Sequence, residues 1–128
     1  MAAWGSLKIE GLTYELDRSS GGEKRGALRR RVLLSAKVGF NMTVADCTVR
    51  DLSQAGARIH APSVLGMPDE VYLLILREGL VLHAQRVWAQ FPAFGLKFLS
   101  AEDIDKSTRA QTTPLRKAWE DWVRSVPP

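Results

Sequence analysis

From Val32 onward the chain reads as one strand signal after another. Val32, Leu34, Ala36, Val38 and Phe40 recur at period two, which puts them on one face of an extended segment. Asn41-Met42-Thr43 is a turn candidate, and Val44 to Leu52 reads as a second strand with Cys47 and Val49 on one side. Ser53-Gln54-Ala55-Gly56 separates it from a short third strand, Ala57 to Ala61. Pro62, Gly66 and Pro68 make the stretch up to Pro68 a loop. Val71 to Leu76 is nearly all apolar, as in a strand covered on both faces. Glu78-Gly79 turns the chain, and Leu80 to Phe91 and Phe94 to Leu99 form two more strands around Pro92-Ala93.

Helix signals come late. Ser100 followed by Ala101-Glu102-Asp103 predicts a capped first helical turn, with acids near its positive end. Thr113-Pro114 reads as an N-cap followed by proline at the first helical position. Leu115, Trp119, Trp122 and Val126 then share one helical face, opposite Arg116, Lys117, Glu120 and Arg124. The tryptophan stripe packs against the strands or meets a partner. At the other end, Leu7–Ile9 and Leu12–Leu16 suit a small hairpin or an added strand, and Asp17 to Gly22 has the composition of a flexible linker. The expectation is a mainly β fold: a six-stranded antiparallel barrel from about Val32 to Leu99, with a C-terminal α-helix from about Pro114 to Val126. Residues 1–22 form an extension and linker, and residues 23–128 form the domain.

Charge changes the picture by where it lies. The net charge is +4, and residues 23–31, EKRGALRRR, carry five basic residues and one acid; elsewhere 13 basic residues balance 13 acidic ones. A focused positive segment on a neutral body suits a compact anion better than a long polyanion. A single cysteine, Cys47, rules out an internal disulfide and a Cys-based zinc site, and reads as a small buried apolar residue. His60 and His83 lack a neighbouring metal ligand in sequence and read as surface or core histidines, so no metal site is expected. Trp88 reads as core or barrel rim. There is no long apolar run and no charged segment followed by an apolar one at the start, so neither membrane insertion nor a secretory signal is expected, and the default location is cytoplasmic.

Two motifs carry chemistry. Arg25-Gly26-Ala27-Leu28-Arg29 is an RxxxR pattern leading into a strand; Asp51-Leu52-Ser53-Gln54-Ala55-Gly56 is a DxSxxG pattern between strands. Each alone is common, and the second also suits a turn whose Asp and Ser bond only to their own backbone. Their order, separation and β-rich setting are more specific. Over roughly Lys24 to Leu99 the chain resembles the PilZ family, whose signature is RxxxR followed about twenty residues later by [D/N]xSxxG. The resemblance implies a single-domain barrel that binds cyclic di-GMP through Arg25, Arg29, Asp51, Ser53 and Gly56, with Arg30 and Arg58 as further candidates.

The chemistry is compatible with that role. An arginine fork can grip a phosphate, pair with guanine O6 and N7, or lie flat on a purine. A carboxylate accepts from guanine N1 and N2, a hydroxyl adds a hydrogen bond, and glycine permits positive φ or a close backbone approach. No phosphate-loop, zinc or nucleophile motif appears, so neither catalysis nor a cofactor is expected. The implied role is a cytoplasmic bacterial second-messenger receptor that signals to a protein partner, its identity open. The alternatives are a nucleic-acid-binding barrel, disfavoured by a short basic segment without interleaved aromatics, and a PilZ-like interaction module without nucleotide binding.

Overall fold

The computed structural model of this 128-residue chain describes residues 5–9, 12–16 and 30–125. The linker at Asp17–Gly22, the arginines Arg25 and Arg29, and Val126 lie outside the described residues.

Gly5–Ile9 (β1) and Leu12–Leu16 (β2) form an antiparallel two-stranded sheet, with Leu7 opposite Tyr14. Six strands then close a barrel: β3 (Arg30–Phe40), β4 (Thr43–Leu52), β5 (Gly56–His60), β6 (Glu70–Ile75), β7 (Leu80–Gln90) and β8 (Ala93–Asp103). Their order around the barrel is β3-β4-β5-β8-β7-β6, every neighbouring pair is antiparallel, and β3 closes the ring by pairing with both β4 and β6. Closure satisfies the edge hydrogen bonds that an open sheet would expose.

Alternation builds the core. Val32, Leu34, Ala36 and Val38 point inward from β3 and meet Val49, Leu52, Ile59, Leu73, Ile75, Leu82 and Phe98 from the other strands. Leu74, Leu76 and Val81 face the other way, into a second apolar layer with Ile104 and Leu115. That layer lies beneath helix α1 (Thr113–Ser125), whose Trp119 and Trp122 pack against it together with Tyr72 and Val44. The apolar run in β6 thus has its cause: one face is barrel interior, and the helix covers the other. The tryptophan stripe packs on the barrel.

Two local expectations are corrected. Ser100–Asp103 is not a helix start. It extends β8, because Ser100, Ala101, Glu102 and Asp103 pair with His83, Leu82, Val81 and Leu80. A capping pattern is a local preference, and a long cross-strand ladder overrides it. Thr113 is not an extended N-cap either. It is already helical at φ −56°, ψ −46°, because a 3-10 turn at Ala110–Thr112 runs straight into α1. The connection from β8 is fixed by a bonded polar knot instead. Buried Ser107 donates to Glu102 at 2.9 Å and shares a 2.7 Å hydrogen bond with buried Thr112, while Arg116 donates to the Ser107 carbonyl.

β3 and β4 join through Asn41 and Met42, both at positive φ (51° and 61°). Such a two-residue turn matches the twist of a hairpin.

Candidate functional site

The site is assembled by register. Asp51 on β4 lies opposite Arg31 on β3 and opposite Arg58 on β5. Arg58 lies opposite Gly95 on β8, and Gly95 opposite Trp88 on β7. One row, Arg31–Asp51–Arg58–Gly95–Trp88, therefore runs across five adjacent strands. It lies on the outer surface, because Leu52, Ala57, Ile59, Phe94 and Leu96 beside these residues belong to the core.

The ladder is irregular beside this row. Across β4 and β5, Val49 pairs with Ile59 and Asp51 with Arg58, leaving Arg50 as an extra residue. Across β3 and β4, Val32 and Leu33 together oppose Arg50. Across β7 and β8, Arg86 pairs with Leu96 and Trp88 with Gly95, leaving Val87 extra. Bulges re-aim side chains and recur beside functional sites. The β4 irregularity has a direct result. Val49 and Leu52 are both core residues three positions apart, which strict alternation forbids, so Arg50 and Asp51 both lie on the outer side.

Asp51 and Arg58 form the centre. Arg58 Nε donates to Asp51 Oδ2 at 2.5 Å, with side-chain exposures of 42% and 18%. Asp51 is therefore sheltered but reachable, and its carboxylate is held by a cation that also remains partly open to solvent. Ser53 behaves differently. Its hydroxyl donates to the Gly56 carbonyl at 3.3 Å and accepts from the Ala55 amide at 3.3 Å, while its own amide donates to Gly56 O at 2.9 Å. Ser53 thus closes the β4–β5 turn on its own backbone, and Asp51 does not.

Gly56 is required by packing rather than by φ. A Cβ there would collide with the Leu96 carbonyl of β8, so the tight approach is to the protein's own backbone. Gly95 is required by Trp88. A Cβ at Gly95 would overlap the indole, which lies across the glycine and is 41% exposed. Trp88 is thus a half-open aromatic shelf on the other side of Gly95 from Arg58, on the outer wall rather than in the core.

Arg30 opens β3 opposite Leu52, so the basic segment joins the barrel one residue from the Asp51 row. Arg31 is exposed. Arg50 has a buried Nε without a hydrogen-bond partner among the described residues. Leaving such a donor unpaired costs about 1–3 kcal/mol.

Sequence reasoning singled out Asp51, Ser53, Gly56 and Arg58, and the barrel gathers them around one turn and its flanking strands. Trp88, Gly95 and Arg50 did not enter the expected site. A readable signal existed for the first two: a tryptophan and a glycine equidistant from a turn at Phe91-Pro92 face each other in a hairpin, and aromatics cover such glycines.

Other titratable groups lie elsewhere. His83 stacks on Tyr72, with centroids 4.7 Å apart, and bonds Glu70 at 2.9 Å. Cys47 is buried within the barrel, and burial pushes its thiol up to about 12; Asp46 adds to the shift and Lys37 opposes it. Among the described residues no cluster of His, Cys, Asp and Glu could hold a metal, and no helix is long and apolar enough to cross a membrane. No known protein-family model matches the chain, and no curated protein matches it.

Proposed function

We propose that this protein is a PilZ-type receptor for cyclic di-GMP, which binds the nucleotide on the outer barrel wall and passes the signal to a protein partner. The observation that carries the reading is the cross-strand row Arg31–Asp51–Arg58–Gly95–Trp88, entered directly by the basic segment through Arg30. The row combines the groups a guanine nucleotide needs. Asp51 accepts from the N1 and N2 donors of guanine, and Arg58 beside it donates to O6 and N7. Trp88 offers a face on which a base stacks. Arg25 and Arg29, from the RxxxR pattern, supply bidentate grips for the phosphates. Ser53 and Gly56 shape the turn that holds Asp51 in line.

The role is recognition rather than turnover. Asp51 is ion-paired with Arg58, an arrangement suited to binding a base edge, and the site works without a metal or cofactor in this reading. Binding would fold the basic segment over the nucleotide and alter the surface shown to a partner in the cytoplasm of a bacterial cell.

Titration calorimetry with cyclic di-GMP, GTP and a short oligonucleotide tests the proposal. Micromolar or tighter binding of cyclic di-GMP alone is expected. Preferential binding of the oligonucleotide would favour a nucleic-acid barrel, and no binding of any of the three would leave an interaction module.

A further inference from the structure

Lys97 belongs to neither motif, yet register sets it beside the row. It follows Gly95 by two on β8, between the core residues Leu96 and Phe98, so it lies on the same outer wall. Across the sheet it stands opposite Gly56, which ends the DxSxxG pattern, on one side and Gln85 on the other. Lys97 is exposed and joins no ion pair among the described residues. The strands on either side of it, β5 and β7, contain no acid. In the next strands out, Asp51 of β4 is held by Arg58, and Glu70 of β6 is bonded to His83. Arg31, Arg58 and Lys97 therefore set three cations around one carboxylate, an excess that an anionic ligand would neutralise.

Resting on the cyclic di-GMP reading above, we propose that Lys97 is a further ligand-binding residue, whose ammonium holds the phosphodiester of the bound nucleotide that faces β8. The choice of acceptor follows from shape and charge. A cyclic dinucleotide carries its two anionic phosphodiesters on opposite sides of its ring. The basic segment enters the row at the β3 end, through Arg30, so Arg25 and Arg29 serve the phosphodiester on that side. The other lies toward β8, where Arg58 is engaged with Asp51 and the base edge, and Lys97 supplies the cation. Adjacent strands lie about 4.8 Å apart and residues two apart on a strand about 7 Å, spans that a lysine stem covers. An ammonium with three rotatable donors grips a phosphate as a point charge, so arginine can stand in for Lys97 while a neutral side chain cannot.

The test titrates cyclic di-GMP into the parent, Lys97→Ala, Lys97→Arg and, as a control for loss of one positive charge, Arg77→Ala, an exposed arginine in the β6–β7 turn. Circular dichroism checks folding. Lys97→Ala should bind about fivefold or more weakly, as expected for loss of a charged hydrogen bond, while Lys97→Arg and Arg77→Ala stay within about twofold of the parent. Phosphorus-31 spectra of the bound nucleotide give a second readout: the two phosphodiesters should resonate apart, and Lys97→Ala should move one of them. If the parent binds while Lys97→Ala keeps its affinity and moves neither resonance, this inference is overturned and the receptor reading stands. If Lys97→Ala weakens binding but moves neither resonance, the contact is not to phosphate and the inference is equally overturned. If Lys97→Arg binds as weakly as Lys97→Ala, the charge is not what holds the ligand, with the same consequence. If the parent does not bind at all, the receptor reading itself fails and this inference falls with it.

Discussion

Replacing Gly95 by alanine puts a methyl group where the Trp88 indole now lies, so the ring must tilt away. The cost can be worked from burial. An enclosed aromatic side chain buries roughly 150–250 Å². Trp88 is 41% exposed, so about three-fifths of that area is covered, worth about 2–4 kcal/mol at about 25 cal/mol per Å². A ring tilted off the glycine rather than expelled loses about half, so Gly95→Ala should destabilise the barrel by about 1–2 kcal/mol. For a chain of this size that lowers Tm by about 3–8 °C. The sign reverses without the indole. In a Trp88→Ala background the indole atoms that the added methyl would overlap are gone, and alanine in a strand interior is favoured over glycine by about 0.5–1 kcal/mol. Thermal unfolding of the parent, both single variants and the double variant closes the cycle. Equal cost for Gly95→Ala in both backgrounds would refute the argument that the glycine is there for the tryptophan. Under the receptor reading, the single Gly95→Ala variant should also bind cyclic di-GMP more weakly, since the stacking face moves with the ring.

Arg25→Ala and Arg29→Ala should each weaken cyclic di-GMP binding at least tenfold in calorimetry, because charged hydrogen bonds contribute roughly 1.5–3 kcal/mol and about 1.4 kcal/mol is tenfold. Arg29→Lys should fail as well, while Arg30→Ala should cost less; the opposite ranking would move the motif by one residue. Met42→Gly should raise stability by about 1 kcal/mol in chemical denaturation, since Met42 holds φ at 61° and the left-handed region costs an L-residue about 1–2 kcal/mol; an unchanged midpoint would mean that the turn tolerates methionine. The Cys47 thiol, pushed up to about 12 from 9.0 by burial, should resist alkylation at pH 8 in the folded protein and react promptly in denaturant. Its folded pKa lies above the unfolded one, so between about pH 9 and 12 the native state binds more protons and stability falls as pH rises. Substituting Cys47→Ala should flatten that part of the pH profile.

The number of barrel strands, the inward face of β3 and the tryptophan stripe of α1 were legible in the chain because each rests on local geometry. Side chains alternate along a strand and recur every three to four residues along a helix, whatever the partner. The apolar stretch Val71–Leu76 likewise announced a strand covered on both sides, and the barrel interior and α1 supply the two covers. Ser100–Asp103 and Thr113 misled for the same reason, since capping residues express a local preference that β-pairing and the preceding 3-10 turn outweighed. Asp51, Ser53 and Gly56 could be picked out as a motif, yet not the different jobs that they hold: an ion pair with Arg58, a backbone-capped turn, and a close approach to the Leu96 carbonyl. What tertiary structure alone decided is the row itself. Arg31, Asp51, Arg58, Gly95 and Trp88 meet only through the register of five strands. Register belongs to pairs of segments: β5 and β8 lie far apart in the chain, and single-residue bulges at Arg50 and Val87 shift the hairpin pairings of β4 with β5 and of β7 with β8. One inserted residue changes which side chains become neighbours and breaks the alternation where it sits, as between Val49 and Leu52, so a strict period-two reading of the sequence does not reach the right pairing.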